Sequence, residues 1–271
     1  MMYLLAAVFA ISASLFVSET EARTLCTLIV DPATGKALVR EGDCVTRVTP
    51  ASTFKIPIAL MGYDAGFLKD EHAPAIPFRE GYTYWGNPAW RDTIDPASWI
   101  KYSVVWYSQQ VTHALGAAKF KAYVDKLGYG NRDVRGDKGK NNALDRAWIS
   151  SSLQISPDEQ AQFLSKLVNR TLPVSAQAME MTARIMQLSQ LPPLDNGWQI
   201  HGKTGAAMPR TADGGYDKDH FYGWFVGWAT KDTKTRVIVR LIQEEKEEKG
   251  SAGVHARDAF LAELPALLEP Q

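Results

Sequence analysis

Ser52 and Lys55 lie three residues apart in Pro50-Ala51-Ser52-Thr53-Phe54-Lys55-Ile56-Pro57, a spacing that suits a nucleophile and its base. A serine hydroxyl is a weak nucleophile until a neighbouring base takes its proton. Residues three apart share one helical face, with about 5–6 Å between Cβ atoms. Lys55 could therefore serve Ser52 if its amine is uncharged. An apolar run follows, so the pair reads as the start of a helix. The unpaired N–H groups there suit a developing oxyanion. A chain of this length contains about one S-x-x-K by chance, and a second one occurs at Ser98-Trp99-Ile100-Lys101. The pair needs support from the rest of the chain.

That support is sought first in other chemical motifs. Lys203-Thr204-Gly205 sits in a strand-like stretch with glycines at 202 and 205. Glycines within a strand often mark a close approach of another backbone. The histidines, His72, His113, His201, His220 and His255, show no H-x-H or H-E-x-x-H spacing, so no metal site is expected. There is no Gly-rich phosphate loop with its lysine. Asn169-Arg170-Thr171 fits a glycosylation acceptor, a motif too short to weigh. Thirty basic and thirty acidic residues cancel without a long basic stretch, which argues against a nucleic-acid partner.

The elements that must position these residues follow from pattern. The chain has 271 residues and is 45% hydrophobic, enough for a substantial core. Leu28 to Val39 reads strand–turn–strand around Asp31-Pro32-Ala33-Thr34-Gly35. The helix from Ser52 is expected to end near Gly66, with Pro57 removing one of its backbone hydrogen bonds. Residues 117–127, 157–168 and 174–188 read as helices, and Gly128 to Asp145 as a long loop. Strands are expected at 197–205, 221–229 and 235–243, joined by short turns. Glu244 to Lys249 reads as a solvated loop, and residues 254–268 as a closing helix. The fold class is α/β of the α+β type. An antiparallel sheet from the N- and C-terminal segments is flanked by helices, with a mostly helical second lobe over roughly 67–195.

Residues 3–17 are apolar and uncharged, and Thr20-Glu21-Ala22 resembles a small-x-small cleavage site. Residues 1–22 thus read as a secretory signal peptide, although the start lacks a Lys or Arg. About 15 apolar residues is short for a membrane span of roughly 20. The remainder, 23–271, is expected to form a single catalytic domain in the periplasm, free of the membrane once the signal is cleaved. Cys26 and Cys44 are the only cysteines, and in an exported chain such a pair is more often a disulfide than a metal site. A lipoprotein cysteine is the rival for Cys26, but Thr24-Leu25 lacks the small residues expected there.

Ser52-Thr53-Phe54-Lys55, Ser103-Val104-Val105, Tyr129-Gly130-Asn131 and Lys203-Thr204-Gly205 occur in that order, and together they resemble the class D serine β-lactamases. The resemblance runs from about residue 25 to the C-terminus. It extends to Tyr102–Gln110, Phe221–Trp228, and Trp148 ahead of Leu153-Gln154-Ile155-Ser156. It implies the serine β-lactamase/penicillin-binding-protein transpeptidase fold and hydrolysis of β-lactams through an acyl-enzyme on Ser52. It also implies an oxyanion hole from the N–H groups of Ser52 and Ala206, and a proton relay through Ser103. Val104 would be an apolar wall over Lys55. Lys203, Thr204 and Gly205 would bind substrate, the first two through its carboxylate. Arg257 is a second cation for that carboxylate, chosen for its place after the last strand. The resemblance further carries an N6-carboxylated Lys55, formed with carbon dioxide and held by the Trp148 N–H, as general base. No other cofactor is expected.

Two other functions share a serine, a lysine and a K-T-G strand. One is a penicillin-binding transpeptidase or carboxypeptidase; the other is a sensor domain that stays acylated. A sensor needs a membrane transmitter, a transpeptidase is normally anchored, and the apolar setting of Lys55 with Trp148 favours hydrolysis. The expected partner is a small-molecule β-lactam, with the protein a monomer or homodimer.

Overall fold

The computed structural model describes residues 22–187, 194, 197–246 and 248–269. The expected signal segment therefore lies outside the described residues, apart from Ala22. Five strands form one antiparallel sheet in the order β2-β1-β7-β6-β5. They are β1 (Ala22–Val30), β2 (Ala37–Gly42), β5 (Gln199–Ala207), β6 (Tyr222–Lys231) and β7 (Lys234–Glu244). A two-stranded ribbon pairs β3 (Ile76–Pro77) with β4 (Thr93–Ile94). The helices are α1 (Lys55–Asp64), α2 (Pro96–Tyr102), α3 (Val105–Leu127), α4 (Ala143–Arg146), α5 (Pro157–Val168), α6 (Ala176–Ile185) and α7 (Ala252–Leu268).

Strand β1 pairs with β7, so the two ends of the chain share the sheet as the sequence pattern predicts. Central strands read as nearly continuous apolar runs because both of their faces are covered. Alternate residues then go to different cores. Leu28, Val226 and Val239 join Ile56, Leu60, Phe120 and Trp148 on the helical side. Their neighbours Ile29, Phe225 and Ile238 join Phe260 and Leu264 of α7 on the other. Helix α1 is buried over nearly its whole length. A helix buried all round has to be apolar all round, and Ile56-Pro57-Ile58-Ala59-Leu60-Met61 meets that demand.

Several expectations need correction. Ser52 is not in the α-helix; it lies in a 3₁₀ turn, Ala51–Phe54, and α1 begins at Lys55. Pro57 is thus the third residue of α1, within the first turn, where an N–H has no intrahelical partner to lose. The helix expected over 117–127 is the second half of α3. Gly116 at φ 75°, ψ 160° breaks the helical path, which is why the periodic signal resumes only after it. Glu244 is not in a solvated loop. It is the last residue of β7, 3% exposed, and it pairs with His255. Cys26 and Cys44 are bonded, with Cα atoms 5.2 Å apart. The β1–β2 hairpin makes this possible by setting Cys26 opposite Gly42.

Candidate active site

The 3₁₀ turn brings Ser52 to the surface of an otherwise closed region. From Ala51 to Tyr63 every residue is buried except Ser52. Ala51, just before it, has φ 50°, a value that costs a side-chain-bearing residue energy and that recurs at functional turns. The turn is held from below. Thr53 Oγ1 donates to Pro50 O at 2.7 Å and accepts from Gln160 Nε2 at 2.8 Å. Tyr129 OH in turn donates to Gln160 Oε1 at 3.3 Å. Tyr129 therefore braces the turn from behind, through Gln160. Phe54 locks the turn into an aromatic cluster with Phe120, Tyr129 and Trp148.

Lys55 is fully buried, and its Nζ donates to Ser52 Oγ at 3.0 Å. Burial drives the ammonium well below its ordinary range, and the nearby Lys203 charge pushes the same way. Desolvation disfavours the charged form, so the amine at Ser52 is poised to be neutral. Trp148 is 0% exposed, and its Nε1 is a buried donor without a partner among the described residues. An unpaired buried N–H costs about 1–3 kcal/mol, so an acceptor there would be stabilising. Thr49 fixes the backbone on this side: its Oγ1 donates to Trp148 O and accepts from Ser150 N, each at 3.0 Å.

Ser103 is the C-cap of α2 and Val104 the N-cap of α3. Ser103 has φ 56°, ψ 39°, so a second left-handed residue stands between two helices; Val104 is fully buried. The rival motif Ser98–Lys101 dissolves on inspection. Ser98 closes a capping box with Asp95, and Lys101 is exposed.

On β5, Gly202 N donates outward to Met186 O at 3.0 Å. Alternate residues of an antiparallel strand direct their N–H groups to the same side. The N–H groups of Thr204 and Ala206 thus face the outer edge of the sheet, away from β6. Gly205 allows that edge to meet the 3₁₀ turn: a Cβ there would lie 3.1 Å from Pro50 O and 3.2 Å from Thr53 N. Lys203 is 4% exposed, and burial, then Arg257, lowers its pKa to about 7. Lys203, Thr204 and Arg257 line a cleft of about 580 Å³ together with Ile100, Tyr102 and Phe225. Arg257 spends its Nε on Asp258 at 2.7 Å, which leaves its two terminal NH₂ groups for a ligand. Among the described residues no group of three or more His, Cys, Asp or Glu could hold a metal ion.

The family model of the penicillin-binding-protein transpeptidase domain matches residues 25–265. β-Lactamase OXA-9 of Klebsiella pneumoniae is 42% identical over 93% of this chain and 91% of its own. This chain belongs to the class D β-lactamases. β-Lactamase OXA-1 of Escherichia coli is 39% identical over 75% of this chain and 70% of its own. The crystal structure of the class D β-lactamase OXA-427 superposes with a TM-score of 0.83 at 50% identity, covering 90% of this chain and 98% of that one.

As in any serine enzyme of this kind, the class D site depends on residues beyond its motifs. Ser52 and Lys55 are in contact, and Lys203, Thr204 and Arg257 share one cleft. Sequence reasoning missed Thr49, Gln160 and Ser150, which hold the serine turn and the Trp148 segment together. Their partners lie about a hundred residues away, so no local pattern points to them. The one local hint is Gln160, a polar residue on the apolar stripe of α5.

Proposed function

We propose that this protein hydrolyses β-lactams, penicillins among them, through an acyl-enzyme on Ser52 and so confers resistance to them. The observation that carries the reading is the buried Lys55 amine 3.0 Å from Ser52 Oγ. Membership of the class D family supports it. Ser52 Oγ attacks the lactam carbonyl carbon as its proton leaves toward Lys55. The carbonyl oxygen gains charge, and the N–H groups of Ser52 and Ala206 are the proposed donors to it. One removed donor of this type costs on the order of a hundredfold in rate. The lactam C–N bond breaks, and Ser103 hands a proton to the leaving nitrogen. Water then releases the acyl group. Val104 keeps bulk water from the Lys55 amine, and Gly205 admits the substrate to the strand edge. Lys203, Thr204 and Arg257 bind the substrate carboxylate, Arg257 through a pair of parallel hydrogen bonds.

Carbon dioxide on the neutral Lys55 amine would give a carbamate, an anionic general base able to take the Ser52 proton and then to activate water, and Trp148 Nε1 would hold it. The donor set suits it, since Trp148 packs on Phe54, the residue before Lys55, and its Nε1 is a buried donor with no partner among the described residues. The finer reading also includes export of one catalytic domain, 23–271, to the periplasm after removal of 1–22. The Cys26–Cys44 bond fits an oxidising compartment, and no helix of the described residues is long and apolar enough to cross a membrane.

The test is a time course of intact mass after mixing with a penicillin. A penicilloyl adduct that forms and decays within the turnover time supports a hydrolase. An adduct that persists instead makes the protein a sensor or a penicillin-binding transpeptidase.

A further inference from the structure

Helix α7 carries Arg257 in its second turn, but its start has no side-chain cap: Ser251 is the N-cap residue and makes no capping bond. The first turn lies backbone to backbone on the sheet. A Cβ at Gly253 would fall 2.5 Å from Gly205 O, and one at Gly223 only 2.2 Å from Ala252 O. Any shift of this turn is felt at Gly205 and Arg257 together.

What holds the turn is His255. Its Nδ1 meets Glu244 Oε1 at 2.8 Å, and its Nε2 meets Lys249 O at 3.0 Å. A carbonyl oxygen only accepts, so Nε2 carries a proton and the ring is a donor to the loop stretch 248–251 that leads into α7. Glu244 ends β7 and its side chain is 4% exposed. Burial raises its carboxyl pKa, while the bond to His255 opposes that and Glu248 adds to it. The loop closes on the ring: Gly250 has φ 105°, and a Cβ there would lie 3.1 Å from His255 Nε2. One imidazole therefore ties three elements: the end of β7, the loop and the start of α7.

We infer that His255, clasped between Glu244 and the Lys249 carbonyl, is a positioning residue that sets the first turns of α7 and so aims Arg257 at the carboxylate of the substrate. The inference rests on the proposed role of Arg257. His255 touches no reacting atom. Its work is to keep a terminal guanidinium in place on a helix whose N-terminus lacks a cap.

The experiment is a mutant cycle on KM and kcat for a penicillin. Arg257→Ala alone tests the role of Arg257: an unchanged KM would overturn that reading, and this inference with it. With that role standing, His255→Ala is expected to raise KM about tenfold while kcat stays within about twofold, since displacing a substrate-positioning group by even 1 Å can cost more than this. In the Arg257→Ala background, His255→Ala should change KM by less than about twofold, because residues acting through one contact are not additive. Glu244→Ala should copy His255→Ala, and it carries the same prediction if the latter does not fold. Glu244→Gln, which can donate from its amide to Nδ1, should restore the wild-type KM. Binding of a boronic acid without a carboxylate should be unaffected in His255→Ala. A wild-type KM in both His255→Ala and Glu244→Ala, an equal rise with Arg257 absent, or equal weakening of the carboxylate-free boronic acid would each overturn the inference.

Discussion

The proposed mechanism gives two buried lysines opposite duties, and their charges would then set the pH range in which the site works. Lys55 has to be neutral. Its folded pKa is lowered by burial, so acid restores the proton and the rate falls on the acid side. The same shift makes the unfolded chain the better proton binder, so Lys55 costs stability increasingly as pH falls below its ordinary value near 10.5 toward its folded one. Lys203 has to be a cation for a carboxylate. With its pKa lowered to about 7, kcat/KM should fall again as pH rises through that value. The expected profile is a bell; a kcat/KM that does not fall between pH 6 and 9 would deny the Lys203 assignment. Added bicarbonate should raise activity most on the acid limb, and Trp148→Ala should deepen that dependence. Carbon-13 NMR with labelled bicarbonate reads the carbamate directly, and its absence from active protein near neutral pH would leave Lys55 a bare amine. Ser52→Ala should fold, bind penicillin and give no adduct in intact mass. Ser98→Ala should acylate normally, because Ser98 belongs to a capping box; loss of the adduct there would reverse the choice between the two motifs. At this scale the sequence was readable wherever spacing along one turn creates the contact, as from Ser52 to Lys55. It was silent on Thr49 and His255, whose contacts the fold alone creates.

The elements place these residues by glycine contact rather than by large side chains. Gly205 lets β5 lie against the serine turn, and Gly253 lets α7 lie against Gly205. A methyl at Gly253 would meet backbone, which cannot swing aside. Gly253→Ala should therefore cost about 1–3 kcal/mol in thermal unfolding, as other overpacked sites do. It should lower kcat/KM as well, since the displaced atoms belong to the K-T-G strand. An alanine variant with wild-type melting and kinetics would mean that the two backbones separate without cost. Asp158 and Glu159 behind Pro157 made the start of α5 legible from sequence, and the structure adds a capping box between Ser156 and Glu159. The break inside α3 was not, because a glycine within a helical pattern is tolerated as often as it interrupts. Glu244 was misread because a charged run is usually solvated; its place at the end of β7 and its partner His255, 11 residues on, keep the first member inside.

The whole molecule is a sheet made from both ends of the chain, closed around a helical middle, and the disulfide acts at the N-terminal end of that closure. Cys26 and Cys44 are 18 residues apart. In the chain-entropy model a loop of that size stabilises by about 3 kcal/mol, by restricting the unfolded ensemble. The bond ties the β1–β2 hairpin to the segment that runs on to Thr49 and the serine turn, while the pairing of β1 with β7 ties it to the sheet. Neither sulfur has a proposed chemical role, and the serine turn has braces of its own in Thr53, Gln160 and Tyr129. The double variant Cys26→Ala/Cys44→Ala should then lose about 2–4 kcal/mol in denaturant unfolding yet keep kcat and KM within about twofold at 25 °C. Thiol labelling of the unreduced wild type should find no free cysteine. A variant that stays stable but loses turnover would mean that the hairpin positions the serine turn directly, and that the braces inside the fold are not sufficient to hold Ser52 against Lys55.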